Sequence, residues 1–403
     1  MRTHVRRCYK NHTVDQGRVD PGRSLLYILL VKHAERAQSW TGGQYSLVRV
    51  VLASWLGVHA AARLVTTLTQ GDRSAALVAT LAVAGSLALA LGAYDRVAAF
   101  ILAWLLVAAR ARGEWRDLSL AFVVASMLVH LALPPAAYGS WAARDRVDPA
   151  GEWRFPPWLY RALWITFVAL HLMWIGRVLF SLDLPEALAR WGRLSPEGAE
   201  RRFEAQVLAC LQLPLLLALA LPRIRVWAWL ALGGADLVHL VLFPPSESSA
   251  LLLWSWAASF APAFVPGVSL RAEATLYYDG GCGLCHRAIR FVLAESPHSP
   301  LRFAPLQGET FAAALPPEQR ATLPDSLILD AGRGLEFRSQ AFLHLMMHFG
   351  GLWRLLASAA RLIPARLRDA VYDGIAGIRH RLFTRPKDVC PLLPPALRQR
   401  FLP

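Results

Sequence analysis

The chain has few cysteines, and no second cysteine pair accompanies its one Cys-x-x-Cys sequence, at Cys282 and Cys285. Five cysteines in 403 residues are too few for the disulfide framework that stabilises small secreted domains. A zinc ribbon is also excluded, because structural zinc takes four ligands and a ribbon draws them from two such pairs. The role of this isolated pair must therefore be inferred from its local surroundings.

Lysine is absent between Lys32 and Lys387, so most of the positive charge comes from arginine. This absence excludes a lysine base in the apolar part of the chain. The formal net charge is +15 at pH 7, yet the arginines are scattered, and no element carries a basic stripe interleaved with aromatic residues. We therefore expect no nucleic-acid partner, and we assign the charge to contacts with the anionic headgroups of a lipid bilayer.

Hydrophobic residues make up 55% of the chain, and they are concentrated before residue 266. Eight mainly apolar segments, each bounded by Arg, Asp, Pro or Gly, predict about eight spans, of which the third is short for a crossing. The segments are Leu47–Leu68, Ala75–Tyr94, Val97–Ala109, Leu118–Leu133, Trp158–Phe180, Phe203–Leu221, Ile224–Phe243 and Ala250–Val265. The sequence thus predicts an integral, multi-pass (polytopic) α-helical membrane domain over residues 45–267.

Residues 1–44 form a basic leader, which we expect to be disordered. Its apolar run, Leu25–Val31, is far shorter than the roughly twenty residues that a span requires. Positive charge ahead of the first span favours a cytosolic N-terminus. An even number of spans would then place the C-terminal domain on the cytosolic side as well.

The Cys-x-x-Cys pair lies between a predicted strand and a predicted helix. A short apolar run ends at Tyr278, Gly280 and Gly281 allow a sharp turn, and apolar residues at helical spacing follow Cys285. Cys282 would then lie at a helix N-terminus, where unpaired N–H groups and the helix dipole stabilise a thiolate. We assign Cys282 as the nucleophile and the more exposed sulfur, and Cys285 as the thiol that resolves a mixed disulfide.

The residues around this pair resemble a known family. The sequence Tyr278-Asp279-Gly280-x-Cys282-x-x-Cys285 after a strand resembles the DCC-type thiol-disulfide oxidoreductases, which are small thioredoxin-like domains. Further stretches are similar to the later strands of that family: Leu301–Gln307, Asp325–Asp330 and Gly334–Ala341. Its helical tail is matched at Leu362–Pro364, Arg368–Asp369, Tyr372 and Arg379–Arg381. The resemblance implies an α/β thioredoxin-like domain with extra C-terminal helices over residues 272–403. It also implies a redox-active disulfide that needs no bound cofactor, and protein or low-molecular-weight thiols and disulfides as partners.

Four further residues of this domain are candidates for the site. Asp279 either accepts a proton from Cys285 or caps the following helix, and His286 either stabilises the thiolate when charged or is a solvated first-turn histidine. Pro324 lies where thioredoxin-like folds carry a cis-proline, although two residues separate it from the third strand. Cys390 is either a third exchanging thiol or an incidental tail cysteine.

The apolar half carries a second resemblance. Trp40–Arg49 before the first span and His130–Trp141 after the fourth resemble the entry and exit of HTTM-type membrane domains. That group is related to the vitamin K-dependent γ-carboxylases and is found fused to DCC domains. Because these motifs are not catalytic signatures and a lysine base is missing, carboxylase activity is not implied.

Ionisable side chains inside the apolar segments are further candidates, because such groups are costly in a membrane and tend to face a bundle interior. The candidates are His130, His171, Asp236 and His239. Asp236 and His239 are three residues apart, so the carboxylate can orient the imidazole on one helical face. These side chains either form a quinone, lipid or metal site or only bond helix to helix. No metal is assigned, because no His-x-x-x-His spacing occurs.

Two functions therefore remain open. The first is a membrane-anchored thiol-disulfide oxidoreductase of the protein-disulfide reductase type, acting on thiols near the bilayer. The second is a membrane scaffold, or a protein that handles lipid or quinone, whose cysteine pair is regulatory or binds a metal. The strand–turn–helix context favours the first, because a lone pair supplies only half of a tetrahedral zinc shell.

Overall fold

The computed structural model describes residues 40–111, 119–151, 153–180, 196–242, 247–271, 274–324, 326–332, 334–382 and 395–403. Nearly all of the basic leader, together with Cys390, lies outside the described residues. The described chain consists of a helical domain followed by a smaller domain that contains a mixed sheet.

Eight α-helices occupy the positions of the eight apolar segments. They are α1 (Gly42–Gln70), α2 (Arg73–Leu91), α3 (Asp95–Ala111), α4 (Ser119–Ala132), α5 (Pro157–Phe180), α6 (Pro196–Ala218), α7 (Arg225–Leu242) and α8 (Glu247–Ala258). Local sequence sets the first boundaries. The Thr41 side chain accepts a hydrogen bond from the Gln44 amide at the start of α1, and Gly71 ends α1 in the left-handed region at φ 75°.

Three of the described helices are long and apolar enough to cross a membrane, namely Gly42–Gln70, Arg73–Leu91 and Pro157–Leu179. Shorter apolar helices occur at Phe122–Ala132, Gln206–Ala218 and Ser249–Ala258. The prediction of eight spans is not confirmed, and helix length gives the reason. The 12 residues of α8 extend about 18 Å, whereas a hydrocarbon core is about 30 Å thick.

The surface of the helical domain is apolar as well as its interior. Val51, Val58 and Val65 repeat every seven residues along α1, and each is more than 60% exposed. Inside, Trp164 and Phe167 belong to a large buried aromatic cluster. An outward apolar stripe of this kind favours membrane association, because soluble monomers rarely expose contiguous apolar surface.

The C-terminal domain is built on a four-stranded sheet in the order β2-β1-β3-β4. Its strands are β1 (Thr275–Tyr278), β2 (Arg302–Pro305), β3 (Ile328–Asp330) and β4 (Leu335–Phe337). β1 pairs with β2 in parallel and with β3 antiparallel, and β3 pairs with β4 antiparallel. Its helices are α9 (Gly283–Glu295), α10 (Glu309–Ala314), α11 (Pro317–Thr322), α12 (Arg338–Phe349), α13 (Gly351–Ala360), α14 (Ala365–Leu382) and α15 (Pro395–Arg398). The small mixed sheet with additional C-terminal helices agrees with the prediction for this part of the chain.

The two domains meet at the C-terminal end of α9. Glu295, which is 4% exposed, accepts hydrogen bonds from Thr41 Oγ1 at 2.5 Å, from the Gly43 amide at 3.1 Å and from Trp353 Nε1. Gly43 is required here, because a Cβ at this position would overlap Glu295 Oε1. The carboxylate thus joins the start of α1, in the helical domain, to α9 and α13.

Hydrogen bonds around Glu295 extend this junction. Gln44 Oε1 accepts from the Leu352 amide at 3.1 Å, and the Val265 carbonyl accepts from the Gly351 amide at 2.7 Å. Arg354 donates to the Pro266 carbonyl. The C-terminal domain is therefore held against the helical domain by several contacts.

Candidate functional site

The cysteine loop connects the end of β1 to the start of α9. Cys282 is the N-cap of α9, with φ −104° and ψ 120°, and its carbonyl accepts the hydrogen bond from the His286 amide at 3.2 Å. The Cys282 amide donates to the Asp279 carbonyl at 3.2 Å, which closes the turn. The sequence-based placement of Cys282 at a helix N-terminus is therefore confirmed.

Asp279 and Gln307 fix the shape of this turn. Asp279 Oδ1 accepts from the Gly281 amide at 2.9 Å and from Gln307 Nε2 at 3.0 Å, while Gln307 Oε1 accepts from the Gly280 amide at 3.1 Å. Asp279 therefore braces the turn, and the N-cap position of α9 belongs to Cys282. Gln307 was missed as a site residue, although a signal existed: β1 and β2 are parallel, so residues that follow the two strands meet at one edge of the sheet.

The two sulfurs differ in exposure, in the direction opposite to the expectation. Cys282 is 1% exposed, whereas Cys285 is partly exposed. The prediction that Cys282 is the more exposed sulfur is therefore wrong, because tertiary packing covers the helix N-terminus. Its assignment as the nucleophile has to come from the helix terminus and from its interaction with Cys285.

Cys285 is a thiol that strongly prefers to keep its proton. Burial raises its pKa to about 12, and the charge of Cys282 and a hydrogen bond between the two sulfurs act in the same direction. A hydrogen bond from the Asp279 backbone and the charge of Arg379 lower this pKa and offset part of the rise. Cys285 is therefore the sulfur of the pair that keeps its proton at neutral pH. Both thiols are free in the structure.

The remaining sequence-based candidates are only partly brought to this loop. His286 Nε2 lies 3.1 Å from the Gly280 carbonyl, and its ring packs edge-on against Tyr278. The imidazole therefore braces the turn as an N–H donor. The described residues contain no cis peptide bond, so Pro324 is not a cis-proline. Cys390 lies outside the described residues, and its proposed exchange role stays a prediction.

Arg379 is a second site residue that the sequence did not indicate. It comes from α14 near the end of the domain, and its Nη2 lies 3.8 Å from Asp279 Oδ2, with the two side chains 7% and 15% exposed. A buried guanidinium is costly unless it faces negative charge. Arg379 is far from Asp279 and the two cysteines in the sequence, so only the tertiary fold brings it to the cysteine loop.

The helical domain holds a polar cluster of its own. His171 Nε2 lies 3.2 Å from Asp236 Oδ2, and Gln212 Nε2 donates to Asp236 Oδ1 at 3.4 Å, so the cluster joins α5, α6 and α7. All three side chains are at most 2% exposed. The sequence predicted that Asp236 orients His239 within one helix. Asp236 forms hydrogen bonds with His171 and Gln212 on other helices, while the His239 ring packs against Trp174.

The hydrogen bonds of His171 constrain the protons of this cluster. Its Nδ1 lies 2.8 Å from the Phe167 carbonyl, which can only accept, so Nδ1 carries a proton. Nε2 faces a carboxylate oxygen of Asp236. His130 stands apart from this cluster and bonds through Nδ1 to the Tyr45 hydroxyl at 2.9 Å. The four candidates therefore do not form one site.

Among the described residues, no group of three or more His, Cys, Asp or Glu side chains is arranged to hold a metal ion. The cysteine loop itself offers two thiols, one carboxylate used by the turn, and one imidazole used by the Gly280 carbonyl. The carboxylate and the imidazole both contribute hydrogen bonds to the turn.

Comparison with known proteins identifies the C-terminal domain. Residues 276–385 match the family described as DCC1-like thiol-disulfide oxidoreductase. A protein of Bacillus subtilis (strain 168), named as the uncharacterized protein YuxK, is 33% identical over 132 residues, which are 32% of this chain and 93% of the relative. The chain belongs to the DCC1-like thiol-disulfide oxidoreductase family.

A plant DCC protein is similar to a smaller extent. The DCC family protein At1g52590, chloroplastic, of Arabidopsis thaliana is 30% identical over 120 residues, which are 29% of this chain and 68% of the relative. No solved structure matches the chain significantly. The DCC match contains Asp279, Cys282, Cys285, Gln307 and Arg379. The helical domain lies outside it.

Proposed function

We propose that this DCC protein is a membrane-anchored thiol-disulfide oxidoreductase that reduces disulfides of proteins or small molecules near a bilayer. The observation that carries the proposal is the geometry of the sulfur pair. Cys282 lies at the N-terminus of α9, and the protonated Cys285 bonds to its sulfur. This arrangement favours one thiolate and one thiol, which are the two reactants that disulfide exchange requires.

The reaction consists of two exchanges. The Cys282 thiolate attacks a partner disulfide, which forms a mixed disulfide and releases the first partner sulfur as a thiolate. Cys285 then loses its proton and attacks the Cys282 sulfur, so that the Cys282–Cys285 bond forms and the second partner sulfur leaves. The partner gains two electrons and two protons, and the cysteine pair loses two electrons. An external thiol of suitable potential must then reduce the pair for another turnover.

The helical domain is proposed to act as the membrane anchor, in an HTTM-like arrangement. Three sufficiently long apolar helices and the apolar outer face of α1 support this. The start of α1 contacts Glu295, so the thiol domain lies on the side where α1 begins. A cytosolic position for that side is supported only by the positive charge of the leader.

The proposal is tested with the purified full-length protein in detergent, using an aromatic disulfide as the substrate. We expect Cys282→Ser to abolish turnover, because no nucleophile remains. Cys285→Ser should permit one exchange and then stop, since the mixed disulfide cannot be resolved. Cys210→Ser, at an exposed position in the helical domain, is the matched control and should turn over at the wild-type rate. Wild-type turnover in Cys282→Ser would refute the proposal.

A further inference from the structure

We infer that Arg379 is a positioning residue for the second exchange: its guanidinium lies against the Asp279 side chain at the cysteine loop and favours the Cys285 thiolate that resolves the mixed disulfide. This inference rests on the proposed function, and it adds a third element, α14, to a site otherwise built from the ends of β1, β2 and the start of α9.

The position of Arg379 is imposed by the packing of α14 on the rest of the domain. The Tyr372 hydroxyl accepts a hydrogen bond from the Leu327 amide at 2.9 Å, just before β3, and Asp369 accepts from Ser339 at the start of α12. Arg338 and Asp373 form an ion pair at 3.1 Å. These contacts fix the middle of α14, so Arg379 is held against the cysteine loop about two turns further on.

The contact between Arg379 and Asp279 acts mainly through charge. Its length of 3.8 Å exceeds the 2.7–2.9 Å typical of a charge-assisted hydrogen bond, while both side chains are largely shielded from water. Shielding strengthens the field of the guanidinium at neighbouring groups. Asp279 and Cys285 are the neighbours that carry or develop negative charge.

The second exchange places negative charge within this field. Cys285 must give up its proton to solvent before it can attack. The Cys285 thiolate then forms a bond to the Cys282 sulfur, the bond from Cys282 to the partner breaks, and the departing thiolate takes a proton from solvent. Arg379 stabilises the charge on Cys285 while that bond forms, and the charge of Arg379 also lowers the pKa of Cys285.

The test separates the two exchanges with 5,5′-dithiobis(2-nitrobenzoate), which releases one coloured thiolate in each step. In Arg379→Gln we expect the second release to slow by about threefold to tenfold at pH 7. A shift of one pKa unit changes the thiolate fraction tenfold, and the greater nucleophilicity of a more basic thiolate offsets part of that change. The pH profile of the second release should move upward by about one unit, while the first release is much less affected.

Matched variants distinguish positioning from structure. Arg379→Lys keeps the charge and should restore most of the second release. Arg366→Gln removes a second arginine of α14, one at an exposed position, and it should leave both releases unchanged. Asp279→Asn should slow the second release, and combining it with Arg379→Gln should add less than the sum of the two effects, because the two side chains act together.

These results distinguish a failure of the proposed function from a failure of the inference about Arg379. If the wild-type protein shows no second release, the oxidoreductase proposal fails and the inference falls with it. If the wild-type protein shows both releases, the inference alone is refuted when Arg379→Gln keeps the wild-type pH profile, or when Arg366→Gln is slowed equally. Should Arg379→Gln not fold, a wild-type second release in Asp279→Asn would refute it.

Discussion

The two ends of α9 have opposite tasks. At its N-terminus, Cys282 caps a helix whose first amides and dipole favour negative charge. At its C-terminus, 13 residues later and about 20 Å away, Glu295 is buried against the helical domain. One end of the helix is arranged for reaction, and the other for attachment.

The comparison shows how the same helix treats negative charge in two ways. A thiolate at the N-terminus is stabilised by the helix, whereas a carboxylate at the C-terminus faces the unfavourable end of the dipole. Burial accordingly raises the pKa of Glu295 to about 7, although hydrogen bonds from Thr41, Trp353 and Gly43 act to lower it. The attachment therefore depends on those three donors and on the proton that the carboxyl group carries below neutral pH.

Of the changes that test the difference between the two ends of α9, we expect Glu295→Ala to have the largest effect. Three donors lose their common acceptor, so the junction should weaken by about 2 to 4 kcal/mol. Trypsin should then cleave faster after Arg271, an exposed residue at the junction between the domains, and the thermal unfolding midpoint should fall. The reaction of Cys282 with an aromatic disulfide should change by less than about twofold, since the effect falls at the far end of α9.

Two controls sharpen this prediction. Gly43→Ala should disrupt the same junction from the side of the helical domain, because its Cβ would overlap Glu295 Oε1. It should likewise speed cleavage after Arg271 and lower the thermal unfolding midpoint. Glu336→Ala removes a carboxylate that is 26% exposed in its pair with His344, and it should cost less than about 1 kcal/mol. A large loss of cysteine reactivity in Glu295→Ala would mean that the two ends of α9 do not act separately.

A smaller effect is expected from pH. Glu295 has its pKa raised from 4.5 to about 7, so between these values the undocked or unfolded state ionises while the docked state keeps its proton. The junction should therefore be most stable below about pH 4.5, weaken as the pH rises to about 7, and change little above it. Thermal unfolding of the wild type from pH 5 to pH 8 should show a loss of at most about 3 kcal/mol.

Glu295→Gln is the variant that checks this assignment. The amide is neutral at every pH, so the part of the pH dependence that comes from Glu295 should disappear. A variant with the same slope as the wild type would show that another group controls the junction.

The smallest effect concerns His286, at the reactive end. Because its ring braces the Gly280 carbonyl at 3.1 Å, His286→Ala should loosen the turn and slow the first thiolate release by no more than about threefold, consistent with one modest hydrogen bond. The matched control is His298→Ala at an exposed loop position. A much larger loss would favour a charged imidazole acting directly on the thiolate.

Local patterns in the sequence were sufficient for much of the fold and for the identity of the sulfur pair. The strand, the glycine turn and the helix around Cys282 follow from short-range signals, and so do the positions of the eight helices. The number of spans is not confirmed, because helices as short as α8 are apolar without being long enough to cross a bilayer as straight helices.

The remaining site features depend on contacts between distant parts of the chain. Three features form only in the folded domain. They are the burial of Cys282, the hydrogen bonds of Gln307 to the cysteine turn, and the contact of Arg379 with Asp279. Glu295 ends an amphipathic helix and would ordinarily be expected in solvent, yet it is the centre of the domain junction. Similarly, Asp236 finds its partner His171 on another helix, which spacing along α7 does not reveal.

The most direct test of the account is mass spectrometry of the mixed disulfide formed by Cys285→Ser with an aromatic disulfide, followed by digestion and mapping of the modified cysteine. The account predicts a single stable adduct on Cys282, and in the wild-type protein a Cys282–Cys285 disulfide with no retained adduct. An adduct found only on other cysteines, or a wild-type protein that never forms the Cys282–Cys285 bond, would contradict it.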